Sequence, residues 1–267
     1  MIPYAFHYRR AASLKEAEAL LAANADAKLL AGGQTLIAAM KMRLAQPSDL
    51  IDISGLKELS FIRAGEDAIV VGAVAKHFEV AASDEIARAI PALAGLAGSI
   101  GDPAVRHMGT LGGSLANNDP AADYPAAVLA LGAAVATNRR VIAADDFFTG
   151  MFATALEESE IVTEVSFPIP KRAGYAKFPN PASRYAMAGV FVAETKSGLR
   201  VAVTGAGPCV FRVPEMEAAL AKSFTPDAVA GIAVDPSDLN SDIHGSAEYR
   251  ANLVTAMAKR AVAAAAR

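Results

Sequence analysis

The chain has 267 residues, with 25 Lys and Arg against 28 Asp and Glu, and 53% of its residues are hydrophobic against 20% charged. That length suits between one and two domains of about 150 residues, and the composition excludes disordered, collagen-like and disulfide-scaffold classes. A net charge of −3, with no block of Lys and Arg interleaved with aromatics, argues against nucleic acid as a partner. The single cysteine, Cys209, cannot close an intramolecular disulfide or by itself hold an iron–sulfur cluster or a zinc ribbon, and it is expected to be an inert buried residue. The first ten residues lack a signal-peptide core, and no run approaches the roughly 20 apolar residues of a membrane span, so a cytoplasmic protein is expected.

A short extended piece at 6–8 precedes Ser13-Leu14-Lys15-Glu16, which has capping-box spacing, and Leu14, Ala17, Leu20 and Leu21 then share one helical face. A helix over 13–24 follows. Next come a strand at 28–31, a Gly32-Gly33 break, a helix over 35–44 and a strand at 50–53. Short β-segments fill 61–74, and helical stretches lie near 84–98. A second glycine cluster, Gly109-Thr110-Leu111-Gly112-Gly113, is followed by a helix over 123–131. Strands at 133–137, 140–143 and 161–167 lead to the hinge Pro168-Ile169-Pro170-Lys171-Arg172, the best domain boundary in the chain. Beyond it the pattern predicts strands at 174–178, 187–195 and 199–205 and helices near 215–222, 226–232 and 247–265.

Metal and hydrolase chemistry find little support. His7, His77, His107 and His244 lie far apart in metal-ligand terms, and Gly112-Gly113-Ser114-Leu115-Ala116 only approximates a nucleophile elbow at Ser114. Asp145-Asp146 suit a helix cap better than an acid/base pair. The two glycine clusters are more informative. Each precedes a helix, so each can turn backbone N–H groups toward an anion, although an isolated Gly-Gly more often just allows a tight turn. Neither is G-x-G-x-x-G and no Walker motif is present, whereas two separate nests suit a diphosphate held between two lobes.

Ala31-Gly32-Gly33-Gln34-Thr35-Leu36 with Met40-Lys41-Met42-Arg43-Leu44, and the run Gly101 to Asn117 followed by Asp119-Pro120-Ala121-Ala122-Asp123, resemble the FAD-binding medium subunit of the molybdenum hydroxylases, the xanthine dehydrogenase and aerobic carbon monoxide dehydrogenase family. The resemblance extends from Ile2-Pro3 to Tyr249-Arg250. It implies an α+β fold: a two-lobed PCMH-type FAD-binding domain with lobes at 1–56 and 57–172, then an antiparallel sheet with helices at 173–267. It also implies FAD on this chain, molybdopterin on a large partner, 2Fe-2S clusters on a small partner, and a dimer of heterotrimers.

Carried over by position, Ala31, Gly32, Gly33, Gln34, Thr35 and Leu36, with Gly109, Thr110, Leu111, Gly112, Gly113 and Ser114, would cradle the pyrophosphate. Asp123 would hydrogen-bond the adenosine portion, unless it is a helix cap. Lys177 would approach the flavin, unless it is a solvated strand lysine. Tyr185 would stand beside the isoalloxazine, unless it only packs between lobes. Ile100 and Val162 would make apolar flavin contacts or belong to the core. The chain departs from the family pattern at Ser114, where Asn is common, at Gln34, where His or Asn is frequent, and at Arg184, where Asp often precedes the Tyr. The implied role is electron relay with no catalytic side chain. A free-standing flavoenzyme of the same fold, a scaffold subunit without FAD, and a hydrolase using Ser114 are the alternatives.

Overall fold

A computed structural model describes residues 2–266. β1 (His7–Arg10), α1 (Leu14–Ala22), β2 (Lys28–Leu30), α2 (Leu36–Lys41) and β3 (Asp49–Asp52) build a parallel sheet in the order β1-β3-β2, with the helices as crossovers. Ser13 caps α1 as its spacing predicts: its Oγ accepts the Glu16 amide at 3.2 Å, while the Glu16 carboxylate reaches past the cap to the Ala12 amide at 2.7 Å. α2 stops short of the expected Leu44 because Arg43 adopts a left-handed φ of 61° and the Leu44 amide closes back on the Ala39 carbonyl.

The middle of the chain runs through β4 (Ile62–Ala64), β5 (Ala68–Gly72), α3 (His77–Ala82), α4 (Asp84–Ala89), α5 (Pro91–Gly98), α6 (Pro103–Met108), α7 (Leu111–Asn117) and α8 (Tyr124–Leu131). It continues with β6 (Ala134–Thr137), β7 (Val141–Ala143), α9 (Ala144–Phe147), the hairpin β8 (Phe148–Gly150) and β9 (Ala153–Thr154), and β10 (Val162–Pro168). Five of these strands form an antiparallel sheet ordered β4-β5-β10-β6-β7. Three helices, α3, α6 and α7, were not expected; α7 begins inside the second glycine cluster, where Thr110 accepts the Gly113 amide at 3.2 Å. α3 and α6 are short and locally capped: the Glu79 carboxylate accepts the Lys76 amide at 2.7 Å, and Asp102 accepts the Val105 amide at 3.0 Å ahead of Pro103 in the first turn. Asp145 and Asp146 sit in the first turn of α9 rather than at its cap, and Asp145 is held by Arg200 at 2.6 Å.

β11 (Arg172–Pro179), β12 (Ala186–Thr195), β13 (Gly198–Thr204) and β14 (Phe211–Arg212) form a second antiparallel sheet in chain order, followed by α10 (Pro214–Lys222), α11 (Pro226–Ala230) and α12 (Ala247–Ala265). α12 lies directly on β11 at Gly174, where a Cβ would come within 2.1 Å of the Ala261 carbonyl oxygen. Every residue of α8 is buried, because this all-apolar helix is packed between β10 on one side and β12 and β13 on the other. Its buried cluster accordingly draws in Phe191, Ala193 and Ala202 from the C-terminal sheet. No helix among the described residues is long and apolar enough to cross a membrane.

Candidate functional site

The two glycine segments, distant in sequence, meet in space. A Cβ on Gly32 would lie 2.2 Å from the Met108 carbonyl oxygen and 2.8 Å from the Gly109 Cα, so only glycine permits this approach. Beside the contact opens a cavity of about 740 Å³. Ala31, Gly32, Gly33, Gln34, Thr35 and Leu36 line it, as do Gly109, Thr110, Gly112, Gly113 and Ser114. Leu111 does not; its side chain is buried in the core.

The segments are not equivalent. From Gly32 to Leu36 no backbone amide has an acceptor among the described residues, and Gly33 turns the chain with a φ of 69°. These consecutive free donors precede α2. In the second segment the amides are largely spent: Leu111 donates to the Ala75 carbonyl at 3.0 Å, Gly112 to Ala73 at 2.8 Å, and Gly113 to the Thr110 hydroxyl at 3.2 Å. Its glycines serve close packing. A Cβ at Gly109 would strike the His77 ring at 2.5 Å, and one at Gly112 would strike the Ala73 Cβ at 2.6 Å. Gly113 differs, for a Cβ there meets only the Thr110 hydroxyl and otherwise enters open space. The expectation of two separate nests is therefore corrected to one run of free amides and one tightly packed helix start.

Asp123 lines the cavity but does not cap α8. Its buried carboxylate instead accepts the Tyr175 hydroxyl at 2.5 Å and pairs with the Lys177 ammonium at 3.0 Å. Burial pushes this carboxyl above the usual range, against the pull of Lys177 and the Tyr175 hydrogen bond. Burial also drives the Tyr175 hydroxyl well above its ordinary value, reinforced by the Asp123 charge. Lys177 is no solvated lysine: its side chain is 7% exposed, and its Nζ also donates to the Ser99 carbonyl at 2.9 Å. It lines a second cleft, of about 750 Å³, between α5, β11 and α12, so the ion pair walls one space from the other. Asp123 and Lys177, expected at the adenosine and at the flavin respectively, thus meet in one buried ion pair.

Tyr185 is 51% exposed at the cavity rim, which excludes plain packing between lobes. Burial of part of its ring raises the phenol, with Asp119 and Asp123 adding to the effect. Arg184 lines both spaces from a left-handed φ of 62°, on a loop closed by the Asn180 carbonyl accepting the Arg184 amide at 2.8 Å. Ile100 and Val162 both line the cavity, the first half-buried and the second also part of the core.

Sequence reasoning missed His77 and Glu160. Desolvation, with Arg106 nearby, lowers the buried His77 imidazole to about 4, so it is neutral, and its ring wedges against the second glycine segment. Nothing in its sequence neighbourhood marked it beyond being one of four histidines. Glu160 also lines the cavity, but its carboxylate is saturated by Arg140, Thr137 and the Glu157 amide; the Arg140 hydrogen bond leads in holding it at about 2. Tyr175 was missed as well, although its place two residues before Lys177 on one strand puts both side chains on the face that meets Asp123. Ser114 lies inside α7 with no histidine or carboxylate bonded to its hydroxyl among the described residues, which removes the nucleophile-elbow geometry. Cys209 is half-buried rather than buried, with the Asn118 amide nitrogen 3.6 Å from its Sγ. No group of three or more His, Cys, Asp and Glu among the described residues is arranged to hold a metal ion.

Residues 4–170 match the family model described as the FAD binding domain in molybdopterin dehydrogenase. The chain is 38% identical to the nicotine 6-hydroxylase medium subunit of Paenarthrobacter nicotinovorans, over 97% of this chain and 96% of that one. It is 37% identical to the carbon monoxide dehydrogenase medium chain of Hydrogenophaga pseudoflava, over 99% and 98% of the two. The solved structure of reconstituted CO dehydrogenase from Oligotropha carboxidovorans superposes with a TM-score of 0.92 at 33% identity, covering 99% of each chain. The shared α+β architecture, the match to the family model and the end-to-end relatives agree: the chain belongs to the FAD-binding medium subunits of the molybdenum hydroxylases, a family of oxidoreductase flavoproteins.

Proposed function

We propose that this chain holds FAD in the 740 Å³ cavity and relays electrons, received from 2Fe-2S clusters on a small partner, to an external acceptor, while a large molybdopterin-bearing partner oxidises the substrate. The observation carrying this is the row of free amides from Gly32 to Leu36 opposite the open face of Gly113. Unsatisfied N–H groups ahead of a helix suit a diphosphate without any cationic side chain, and a residue other than glycine at 113 would occupy the space the ligand needs. Thr35 and Ser114 add hydroxyls at the same place, and Leu36, Ile100 and Val162 supply apolar wall. The residues therefore fit the cofactor.

FAD, when bound, supplies the exchange between one-electron and two-electron transfer. The chain's own residues bind, orient and shield it. Tyr185 covers the open rim. The buried Asp123–Lys177 pair fixes one end of the ligand, and Tyr175 holds the Asp123 carboxylate in place. Arg184 brings positive charge to the mouth, which favours an electron-rich ligand and an anionic acceptor. On this reading the 1–56 and 57–172 lobes embrace the ligand and the 173–267 segment closes it. Two heterotrimers pair, in the cytoplasm, as the resemblance implies. The relatives' names point to nicotine in one case and carbon monoxide in another, so similarity alone assigns no substrate.

The test is direct. The purified chain should be yellow and release FAD, identified chromatographically, on denaturation. A colourless preparation that neither releases FAD nor binds added FAD overturns the proposal.

A further inference from the structure

Three buried side-chain atoms have no hydrogen-bond partner among the described residues: His77 Nδ1, the Tyr124 hydroxyl oxygen and Arg250 Nε. Arg250 is otherwise well anchored, its guanidinium donating to the Met187 and Gly205 carbonyls and to Asp242. The side chains of His77 and Tyr124 have no such anchor, and their rings lie 5.3 Å apart, tilted by 52°. Burying a polar atom without a partner is costly, and folded chains keep few of them. Two side by side, one of them lining the cofactor cavity, mark a place where a partner from outside the chain belongs.

The two ring nitrogens of His77 differ in what they can reach. The residue is 5% exposed, with Nδ1 sealed inside, whereas Nε2 is not sealed and has no partner among the described residues either. Nε2 looks onto Gly109, where a Cβ would stand 2.5 Å from it, so the missing side chain is what opens the ring to the cavity. Backbone contacts hold this arrangement. The Gly109 carbonyl accepts the His77 amide at 3.0 Å, and Lys76 and Thr110 form an isolated antiparallel bridge. Gly109 in turn touches the first glycine segment, since a Cβ on Gly32 would come within 2.8 Å of its Cα.

The proton on the ring follows from its neighbour. Desolvation, with Arg106 nearby, holds the imidazole at about 4, so one nitrogen carries a proton and the other a lone pair. Burial, reinforced by the Asp123 charge, drives the Tyr124 hydroxyl well above its ordinary value, so it keeps its proton and needs an acceptor. Within this pair the acceptor is the Nδ1 lone pair, reached directly or through a buried water, which leaves the proton on Nε2. A side-chain donor then stands on the wall where the Leu111, Gly112 and Gly113 amides are already engaged, near the free amides that begin at Gly32.

We propose that His77 is a cofactor-binding residue that donates Nε2–H, through the gap left at Gly109, to a phosphate oxygen of the FAD diphosphate, an inference resting on the FAD site argued above. The ligand thereby gains a donor from the second glycine wall, which has few backbone amides left to give.

The experiment uses the full chain, stripped of FAD and titrated with it. Gln places its amide nitrogen about where Nε2 stands, Asn about where Nδ1 stands, and Leu has no donor. His77→Leu and His77→Asn should weaken FAD binding by about ten- to a hundred-fold, as expected for one hydrogen bond to a charged group, and His77→Gln should restore most of it. At saturating FAD, a phosphorus resonance of the bound diphosphate should shift in the Asn variant and return in the Gln variant. The melting temperature of the FAD-free chain should stay level or rise in His77→Leu, because an apolar side chain removes the orphaned nitrogen. Wild-type FAD affinity in both the Leu and Asn variants overturns the contact and leaves the ring to a bound water. Affinity that falls equally in all three variants, in step with a lower melting temperature, assigns His77 to packing and overturns it as well. A wild-type chain that binds no FAD overturns the cofactor site itself, and this contact with it.

Discussion

Replacing Gly32 by Ala tests whether the contact between the two glycine segments sets the shape of the cofactor site. The new Cβ would lie 2.2 Å from one backbone atom and 2.8 Å from another, on a segment that cannot rotate away as a side chain can. Carbon atoms settle at roughly 3.5–4.0 Å, so the segments must part by about 1 Å. Overpacking of this kind costs about 1–3 kcal/mol, equivalent to a melting temperature lower by roughly 2–4 °C per kcal/mol in a chain of this size. If FAD needs the closed arrangement, about 2 kcal/mol spent on closing it weakens binding roughly 30-fold. Titration of the apo chain with FAD, followed by flavin fluorescence, measures this directly. Gly95→Ala is the control: its Cβ meets nothing within 4 Å, and in a helix the change should stabilise by about 0.5–1 kcal/mol. Wild-type FAD affinity in Gly32→Ala would show that the close approach plays no part in the site.

Other substitutions separate the roles of neighbouring residues. Gly113→Val should abolish FAD retention with a small loss of stability, whereas Gly112→Val, driven into Ala73, should lower the melting temperature first; the reverse order in calorimetry contradicts the packing described. Asp123→Asn leaves the Lys177 ammonium buried without its counter-charge and should destabilise by about 3–5 kcal/mol, while the double change to Asp123→Leu with Lys177→Met should recover most of it in urea unfolding. His77 has a folded value of about 4 against 6.5 unfolded, so the stability it contributes is present above pH 6.5 and is lost as pH falls toward 4, up to about 3 kcal/mol. Denaturant midpoints of wild type should therefore drop between pH 7 and 5, and those of His77→Gln should stay nearly level. Gly174→Ala should unseat α12 from β11, seen as a large fall in melting temperature with the order of the N-terminal sheet retained by hydrogen exchange.

Much of the fold could be read in advance because its signals are local. The Ser13 cap, the short apolar runs of β12 and β13 and the Ala-rich α12 each declare themselves within a few residues. α3 and α6 escaped because neither has a repeating apolar face: one begins at a buried histidine and the other has no buried residue at all. At the site, the glycine segments were identifiable as motifs, yet their division of labour was not. Whether an amide is free depends on a carbonyl elsewhere, such as Ala73 or Ala75, and only tertiary structure supplies that. The same applies to Asp123, whose partners lie on a strand more than fifty residues away. Local sequence made a cap plausible; burial and a cation decided otherwise.

α8 has a consequence for how this protein can be divided. The conserved-family segment ends at residue 170, before β12 and β13, which cover one side of that helix. Cut there, the remaining polypeptide would present an all-apolar helix to water and would lose Phe191, Ala193 and Ala202 from the cluster in which α8 is packed. Fully burying side chains of this size stabilises by about 1.5–3 kcal/mol each, and few domains have such a margin to lose. The portion that carries the cofactor signature is therefore not expected to fold on its own. Gene fusions, truncations or limited proteolysis that stop at its boundary should yield insoluble fragments, and the C-terminal sheet has to be inherited with the domain it completes.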